Sequence, residues 1–263
     1  MVPFHLPSLQ SRNVSAPLAV VMAAGKGTRM KSELPKVLVP VCGRPMLEYV
    51  LDALRDAGID KIVVVVGYRA EDVKQTVGGQ PNVSFALQAE QRGTGHAVMS
   101  AREQLTGHDG AVLVVAGDSP LMQSSSLRKL LDDYNRSRPA CILGTATKAD
   151  PHGLGRIVRD AQGKFAGIVE EKDASDEQRQ ITEVNLSCYV FHGPDLLRSL
   201  DEIRSDNAQG EYYITDCPGV LLAGGKDVRA LNVLEPCESL SINSMEELAV
   251  VENAMRAMGM AGP

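Results

Sequence analysis

Residues 20–38 read VVMAAGKGTRMKSELPKVL. An apolar run, Val20–Met22, enters a loop of small residues, Ala23, Ala24, Gly25 and Gly27. Four cations follow closely: Lys26, Arg29, Lys31 and Lys36. A buried strand that ends in bare backbone and then positive charge is a phosphate-binding arrangement. The N–H groups can approach an anion where no Cβ intervenes, and Arg and Lys supply a planar fork and a point charge. Two common phosphate loops fail on spacing. In a dinucleotide fingerprint G-x-G-x-x-G the third glycine is replaced by Met30, and the second strand ends in VVGYRAED without an acidic residue suited to a ribose. The Walker pattern needs Gly-Lys-Ser/Thr, which does not follow.

Working outward, strand and helix patterns alternate. PLAVVMA, KIVVVVGY, VSFALQ, GAVLVVAGD and ACILGTAT read as strands. RPMLEYVLDALRDAG, AEDVKQTV, TGHAVMSAREQL and SSSLRKLLDDYNRS read as helices between them. Leu47, Val50, Leu51 and Leu54 recur on one helical face. Pro45 suits that helix's first turn and Gly58 its stop, while the serines at 124–126 suit a cap. Strands apolar on both faces, separated by helices, predict an α/β fold: a Rossmann-like, mostly parallel sheet covered by helices on both faces. Ligands on such sheets sit beyond the carboxyl ends of the strands. That rule selects the loop after Met22 and Asp118, at the end of VLVVAGD.

The second half is less regular. HGLGRIVRDAQGKFAGIVEEKDA predicts two strands around a turn at DAQG. ITEVNLSCYVFHG predicts a strand, and PDLLRSLDEI and EYYITDCPGVLLAGG predict helices. DVRALNVL and SLSI are expected as late strands, and SMEELAVVENAMRAMG as a last helix with Ser244 and Glu247 in capping-box spacing. We read residues 1–16 as a loosely ordered tail and 17–263 as one domain. Its first half covers about 17–125 and carries the loop after Met22, and its elaborated second half covers about 126–263.

Composition narrows the function. The net charge is −6, Trp is absent, and Phe and Tyr number four and six, which argues against a nucleic-acid binder. The five cysteines are scattered with no C-x-x-C pair, which argues against a zinc or redox motif and suits a reducing cytoplasm. The longest apolar runs fall far short of the ~20 residues of a membrane helix, and residues 1–16 lack a signal peptide's basic start and apolar core. No segment specifies an oligomeric state.

AAGKGTRMKSELPKVL resembles the G-x-G-T-R-(x)n-P-K signature of the sugar-1-phosphate nucleotidyltransferases. The likeness continues through LQAEQRGTGHAV, GDSPL, GLGRIV, GIVEEKDA, DEQRQITEVN and NAQGEYYITD, over roughly residues 18–258. These segments are most similar to the uridyltransferase half of the bacterial bifunctional N-acetylglucosamine-1-phosphate enzymes. The resemblance implies the nucleotide-diphospho-sugar transferase fold, with a nucleotide-binding half at about 17–125 and a sugar-binding half at about 126–263. It implies UTP and a sugar-1-phosphate as substrates and Mg²⁺ as cofactor. No hexapeptide repeats follow, so acetyl transfer is not expected.

The resemblance assigns roles to positions of this chain. Arg29 would hold the leaving pyrophosphate and Lys36 the reacting phosphates. Asp118 and Asn243 would hold Mg²⁺. Met22, Ala23, Ala24, Gly25, Gln88, Gly93 and Thr94 would bind the nucleotide, with the Gln88 amide on the uracil edge. Gly155, Glu170 and Asn185 would surround the sugar. His96 reads as a packing residue at a helix start, and Glu211, Tyr212, Tyr213 and Asp216 as a helix shaping the sugar pocket. Two places depart from the family pattern: Ala116, where some relatives carry Tyr, and Leu186-Ser187, where Thr-Gly is usual. A different sugar-1-phosphate or nucleotide, or a nucleotide-sugar binder without turnover, remain the alternatives.

Overall fold

The computed structural model describes residues 15–27, 30, 32–207, 209–240, 242 and 244–260. The predicted tail therefore falls outside the described residues except for Ser15 and Ala16, and Ser15 is tied down by a hydrogen bond from its hydroxyl to Asp109 at 2.6 Å.

The first half alternates as its apolar runs require. Strand β1 (Leu18–Met22) is followed by a small two-stranded ribbon, β2 (Pro40–Val41) and β3 (Arg44–Pro45). Then come α1 (Met46–Asp56), β4 (Lys61–Val66), α2 (Ala70–Val77) and β5 (Val83–Leu87). The segment 94–105 forms two short helices, α3 (Thr94–Ser100) and α4 (Arg102–Leu105), broken at Ala101, and leads to β6 (Ala111–Ala116). Helix α1 begins just after Pro45 and ends as expected. Gly58 takes φ +84° and its N–H closes on Arg55, a turn for which a Cβ is unfavourable.

The second half contains α5 (Ser124–Ser137), β7 (Cys141–Thr147), the hairpin β8 (Gly155–Arg159) and β9 (Phe165–Val169), and α6 (Asp176–Arg179). It continues through the long β10 (Glu183–His192), α7 (Gly193–Glu202), α8 (Asp216–Ala223), β11 (Val228–Asn232) and α9 (Met245–Ala257). The main sheet runs β11-β7-β10-β6-β1-β4-β5, with β8 and β9 added beside β10. Pairs β1–β4, β1–β6, β4–β5 and β7–β11 are parallel, and β10 runs antiparallel to both β6 and β7.

Alternation along the strands builds a core on each face. Ala19 and Val21, Val64 and Val66, and Leu113 and Val115 face α1, α2 and α5. Leu18 and Val20, Val63 and Val65, and Val112 and Val114 face α3, α4, α7 and α8. Helix α9 makes a third cluster, with Leu248, Val251 and Met255 against Val39, Val41, Met46 and Tyr49. The Ser244 hydroxyl caps it by accepting from the Glu247 N–H at 3.2 Å. The cysteines are free, and among the described residues no helix is long and apolar enough to cross a membrane.

Three local expectations are corrected. The serines at 124–126 do not cap α5. Its start is capped instead by the Glu238 carboxylate, which accepts from the Gln123 N–H at 3.0 Å and the Ser126 hydroxyl at 2.6 Å. A distant anion thereby meets the positive end of the helix. The helix expected over EYYITDCPGVLLAGG starts only at Asp216. Residues 211–214 are held against 92–95: the Tyr212 N–H donates to Arg92 O, the Gly95 N–H to Tyr212 O, and the Ile214 N–H to the Thr94 hydroxyl. Backbone donors used in that pairing cannot also close a helical turn. Of the expected strand SLSI, Ser239 closes a 3₁₀ turn (Pro236–Ser239), Leu240 and Ile242 lie outside any strand, and Ser241 lies outside the described residues.

Candidate active site

The parallel strands β1, β4 and β6 direct their carboxyl ends to one rim. There the β1 loop stays bonded to its neighbours for two residues beyond the strand. The Ala23 N–H donates to Val65 O, the Tyr68 N–H to Ala24 O, and the Gly117 N–H to Met22 O. The loop can then leave the sheet at Gly25, where a Cβ would meet nothing within 4 Å. Gly27 is different. Its φ is +66°, and a Cβ would sit 2.5 Å from the Lys36 Cβ. Gly27 is the surface on which the stem of Lys36 lies.

Lys36 opens a 3₁₀ turn (Lys36–Leu38) whose Val37 and Leu38 are buried, so its backbone is anchored from beneath. Its ammonium reaches across the rim to Asp118 at 2.6 Å, with the side chains 15% and 31% exposed. Both side chains are only partly exposed, so their mutual attraction is less screened than it would be in bulk water. The expected catalytic Arg29 and metal ligand Asn243 lie outside the described residues.

A cavity of about 390 Å³ stands over this rim. Met22, Ala23, Ala24 and Gly25 form its floor, Lys36 and Asp118 one side, and Gln88, Gly93 and Thr94 the other. All the residues expected to bind nucleotide thus line one cavity. Gln88 is 3% exposed and follows β5. Gly93 takes φ +102°, and a Cβ there would come within 2.5 Å of Tyr212 O. Glycine is required twice over, by the dihedral and by the approach of the 211–214 segment.

Two further cavities share walls with the first at Ser187. One, of about 270 Å³, is lined by Glu170, Asp173, Tyr213 and Thr215. Burial raises the pKa of Glu170, a side-chain hydrogen bond with Thr215 opposes the shift, and Asp173 adds to it. Burial also raises that of Asp216, with Glu170 nearby reinforcing it. Gly155 lies beneath Glu170: a Cβ there would stand 3.5 Å from its Oε2. The other cavity, of about 140 Å³, is lined by Ala116, Asp118, Leu154, Asn185 and Leu186. Asn185 is buried and donates from Nδ2 to the Tyr189 hydroxyl at 2.8 Å. The residues expected around a sugar therefore divide, with Glu170 on one side of Ser187 and Asn185 on the other.

Sequence reading missed several supports. Arg156 is 1% exposed, pairs with Glu171 at 2.7 Å and donates to the carbonyl oxygens of Leu154 and Arg179. It anchors the carboxylate next to Glu170. The only hint was the hairpin itself, whose register puts Arg156 opposite Val169. Ser187 sits at φ +53° in a bulge of β10, between Asn185 and Cys188. No glycine or proline in VNLSC marks that bend.

Residues 19–210 match the family described as the MobA-like NTP transferase domain. The chain belongs to that family. It is 48% identical over 238 residues to the bifunctional protein GlmU of Pelotomaculum thermopropionicum, a match covering 90% of this chain and 52% of the relative. The corresponding protein of Streptococcus agalactiae serotype V is 44% identical over 238 residues, 90% of this chain and 51% of its own. The chain thus spans about half the length of the curated relatives it matches. The NTP transferase fold is also that of an apo UDP-glucose pyrophosphorylase, which superposes with a TM-score of 0.75 at 17% identity over 93% of this chain and all of that one. The likeness there is one of fold.

Proposed function

We propose that this NTP transferase domain is a Mg²⁺-dependent uridyltransferase. It would join UTP and N-acetylglucosamine-1-phosphate to give UDP-N-acetylglucosamine and pyrophosphate. The observation that carries the reading is the Lys36–Asp118 pair at 2.6 Å, where a bare-backbone cavity meets the two cavities around Ser187. Membership of the family and 44–48% identity to GlmU proteins over 90% of the chain support it.

The chemistry is attack by an oxygen of the sugar phosphate on the α-phosphorus, with pyrophosphate leaving in line. No covalent nucleophile is required. Burial raises the thiols of Cys141, Cys188 and Cys217, the last to about 12, far from nucleophilic use. Positioning and charge neutralisation carry such a reaction. Lys36 neutralises the reacting phosphates, and Gly25 admits them to the β1 loop. Glu170 accepts from sugar hydroxyls, and Asn185 pairs with an amide or hydroxyl. Arg29 is assigned to the leaving pyrophosphate.

The partly exposed Asp118 carboxylate fits Mg²⁺, an oxygen-seeking ion that takes one or two carboxylates and completes its shell with substrate oxygens and water. Asp118 would hold it with Asn243, and the ion would supply neutralisation of phosphate charge. Free thiols suit a reducing cytoplasm.

The test is pyrophosphate release by purified protein with Mg²⁺, UTP and N-acetylglucosamine-1-phosphate. Turnover that is abolished in Asp118→Asn supports the reading, and no turnover with any sugar-1-phosphate overturns it. A second reading keeps the transfer and changes the sugar. It is favoured by the small Ala116 and the apolar Leu186 beside the cavity of about 140 Å³. A panel of sugar-1-phosphates separates the two.

A further inference from the structure

Gln88 and His96 form a contact whose chemistry is more specific than packing. Gln88 Nε2 lies 3.0 Å from the Gly93 carbonyl oxygen and 3.1 Å from His96 Nδ1. A carbonyl can only accept, so the Gly93 oxygen fixes which end of the amide is nitrogen. The Gly93 carbonyl is itself immobilised, because its residue is wedged against Tyr212 at φ +102°. A primary amide carries two N–H donors. The second is therefore directed at His96 Nδ1, which must be the unprotonated ring nitrogen to accept it. His96 stands in the first turn of α3, and its ring lies 6.4 Å from that of Tyr212.

Both amide hydrogens are thus used within the protein. Among the described residues no donor reaches Gln88 Oε1, and Gln88 lines the main cavity beside Ala24 and Gly25. The side chain shows the cavity an acceptor and no donor. We infer that His96 is a positioning residue for base selection: with Gly93 it locks the Gln88 amide as an acceptor-only reader. Such a reader takes a base with a ring N–H, as uracil has at N3. It opposes cytosine, whose N3 is itself an acceptor. This deepens the uridyltransferase reading and rests on Gln88 facing the base.

Calorimetric binding of UTP and of CTP to the full chain tests the inference without requiring turnover. The wild type should favour UTP. His96→Phe removes the acceptor and frees the amide to turn, so the UTP/CTP affinity ratio should fall on the order of tenfold. His96→Asn offers a carbonyl oxygen near the place of Nδ1 and should retain most of the ratio. A merely structural role predicts equal loss in both variants and an unchanged ratio. Should His96→Phe not fold, His96→Leu serves in its place. Nitrogen NMR of the wild type gives an independent reading, with the ring proton on Nε2 and both Gln88 amide hydrogens protected from exchange. A proton on Nδ1, or a ratio indifferent to the acceptor at position 96, overturns the inference. Selective UTP binding without pyrophosphate release would instead sink the catalytic reading and leave this one standing.

Discussion

Replacing Gly27 by Ala should cripple turnover through Lys36, a residue it never alters chemically. The new Cβ would lie 2.5 Å from the Lys36 Cβ and 3.1 Å from its Cγ. Carbon atoms rest at about 3.5–4.0 Å, so the lysine stem must retreat by about 1 Å. The left-handed φ of +66° adds a cost of about 1–2 kcal/mol for any residue with a Cβ, and overpacking adds about 1–3 kcal/mol. A stability loss of about 2–5 kcal/mol follows. The retreat pulls the ammonium out of its 2.6 Å contact with Asp118, and a misplacement of about 1 Å costs on the order of 10²-fold in rate. The assay is pyrophosphate release at saturating substrates, paired with thermal melting. Gly25→Ala is the internal control, because its Cβ would meet nothing within 4 Å of protein and its φ is not left-handed. It should melt like wild type and lose triphosphate affinity instead of kcat. A Gly27→Ala protein with wild-type melting and kcat within about threefold would show that Gly27 does not set the position of Lys36.

Other perturbations probe separate parts of the site. Ser187→Gly relieves a left-handed serine at φ +53° and should raise stability by about 1 kcal/mol in denaturant titration; a loss would show that the serine hydroxyl matters more than the dihedral. Glu170→Gln should melt above wild type at neutral pH while weakening sugar-phosphate binding. Burial raises this carboxyl's pKa in the folded state, so its charge opposes folding above that pKa. The advantage should vanish as pH falls through the carboxylate range, and a gap that widens on acidification would contradict the sign. Arg156→Met leaves two backbone carbonyls and Glu171 without their buried partner. It should lower the melting temperature by several degrees and raise KM for the sugar phosphate more than for UTP.

The sheet was legible because its strands are apolar on both faces. KIVVVV and AVLVVA admit few readings, and the observed order places their carboxyl ends at one rim. The main cavity was legible for the same reason, since Met22–Gly25 and Asp118 follow from strand ends. What failed were features created by tertiary partners. The cap of α5 comes from Glu238, more than a hundred residues away, so the local serines misled. Residues 211–214 stay out of the helix because their backbone groups pair with the segment 92–95, a partner more than a hundred residues away in sequence. His96 reads as packing in sequence, and only its 3.1 Å approach to Gln88 gives it a chemical role. Arg156 looks like a surface arginine until the β8–β9 hairpin buries it.

On the proposed reading, the rim formed by Lys36 and Asp118 is where an α-phosphorus is attacked. The decisive measurement follows UTP radiolabelled at the α-phosphorus, incubated with Mg²⁺, N-acetylglucosamine-1-phosphate and the purified chain. The label should appear in the nucleotide sugar, with one unlabelled pyrophosphate released per transfer, and Asp118→Asn should abolish both. Label that stays in UTP with every sugar-1-phosphate offered, or transfer that survives the loss of Asp118, would rule out attack at this rim.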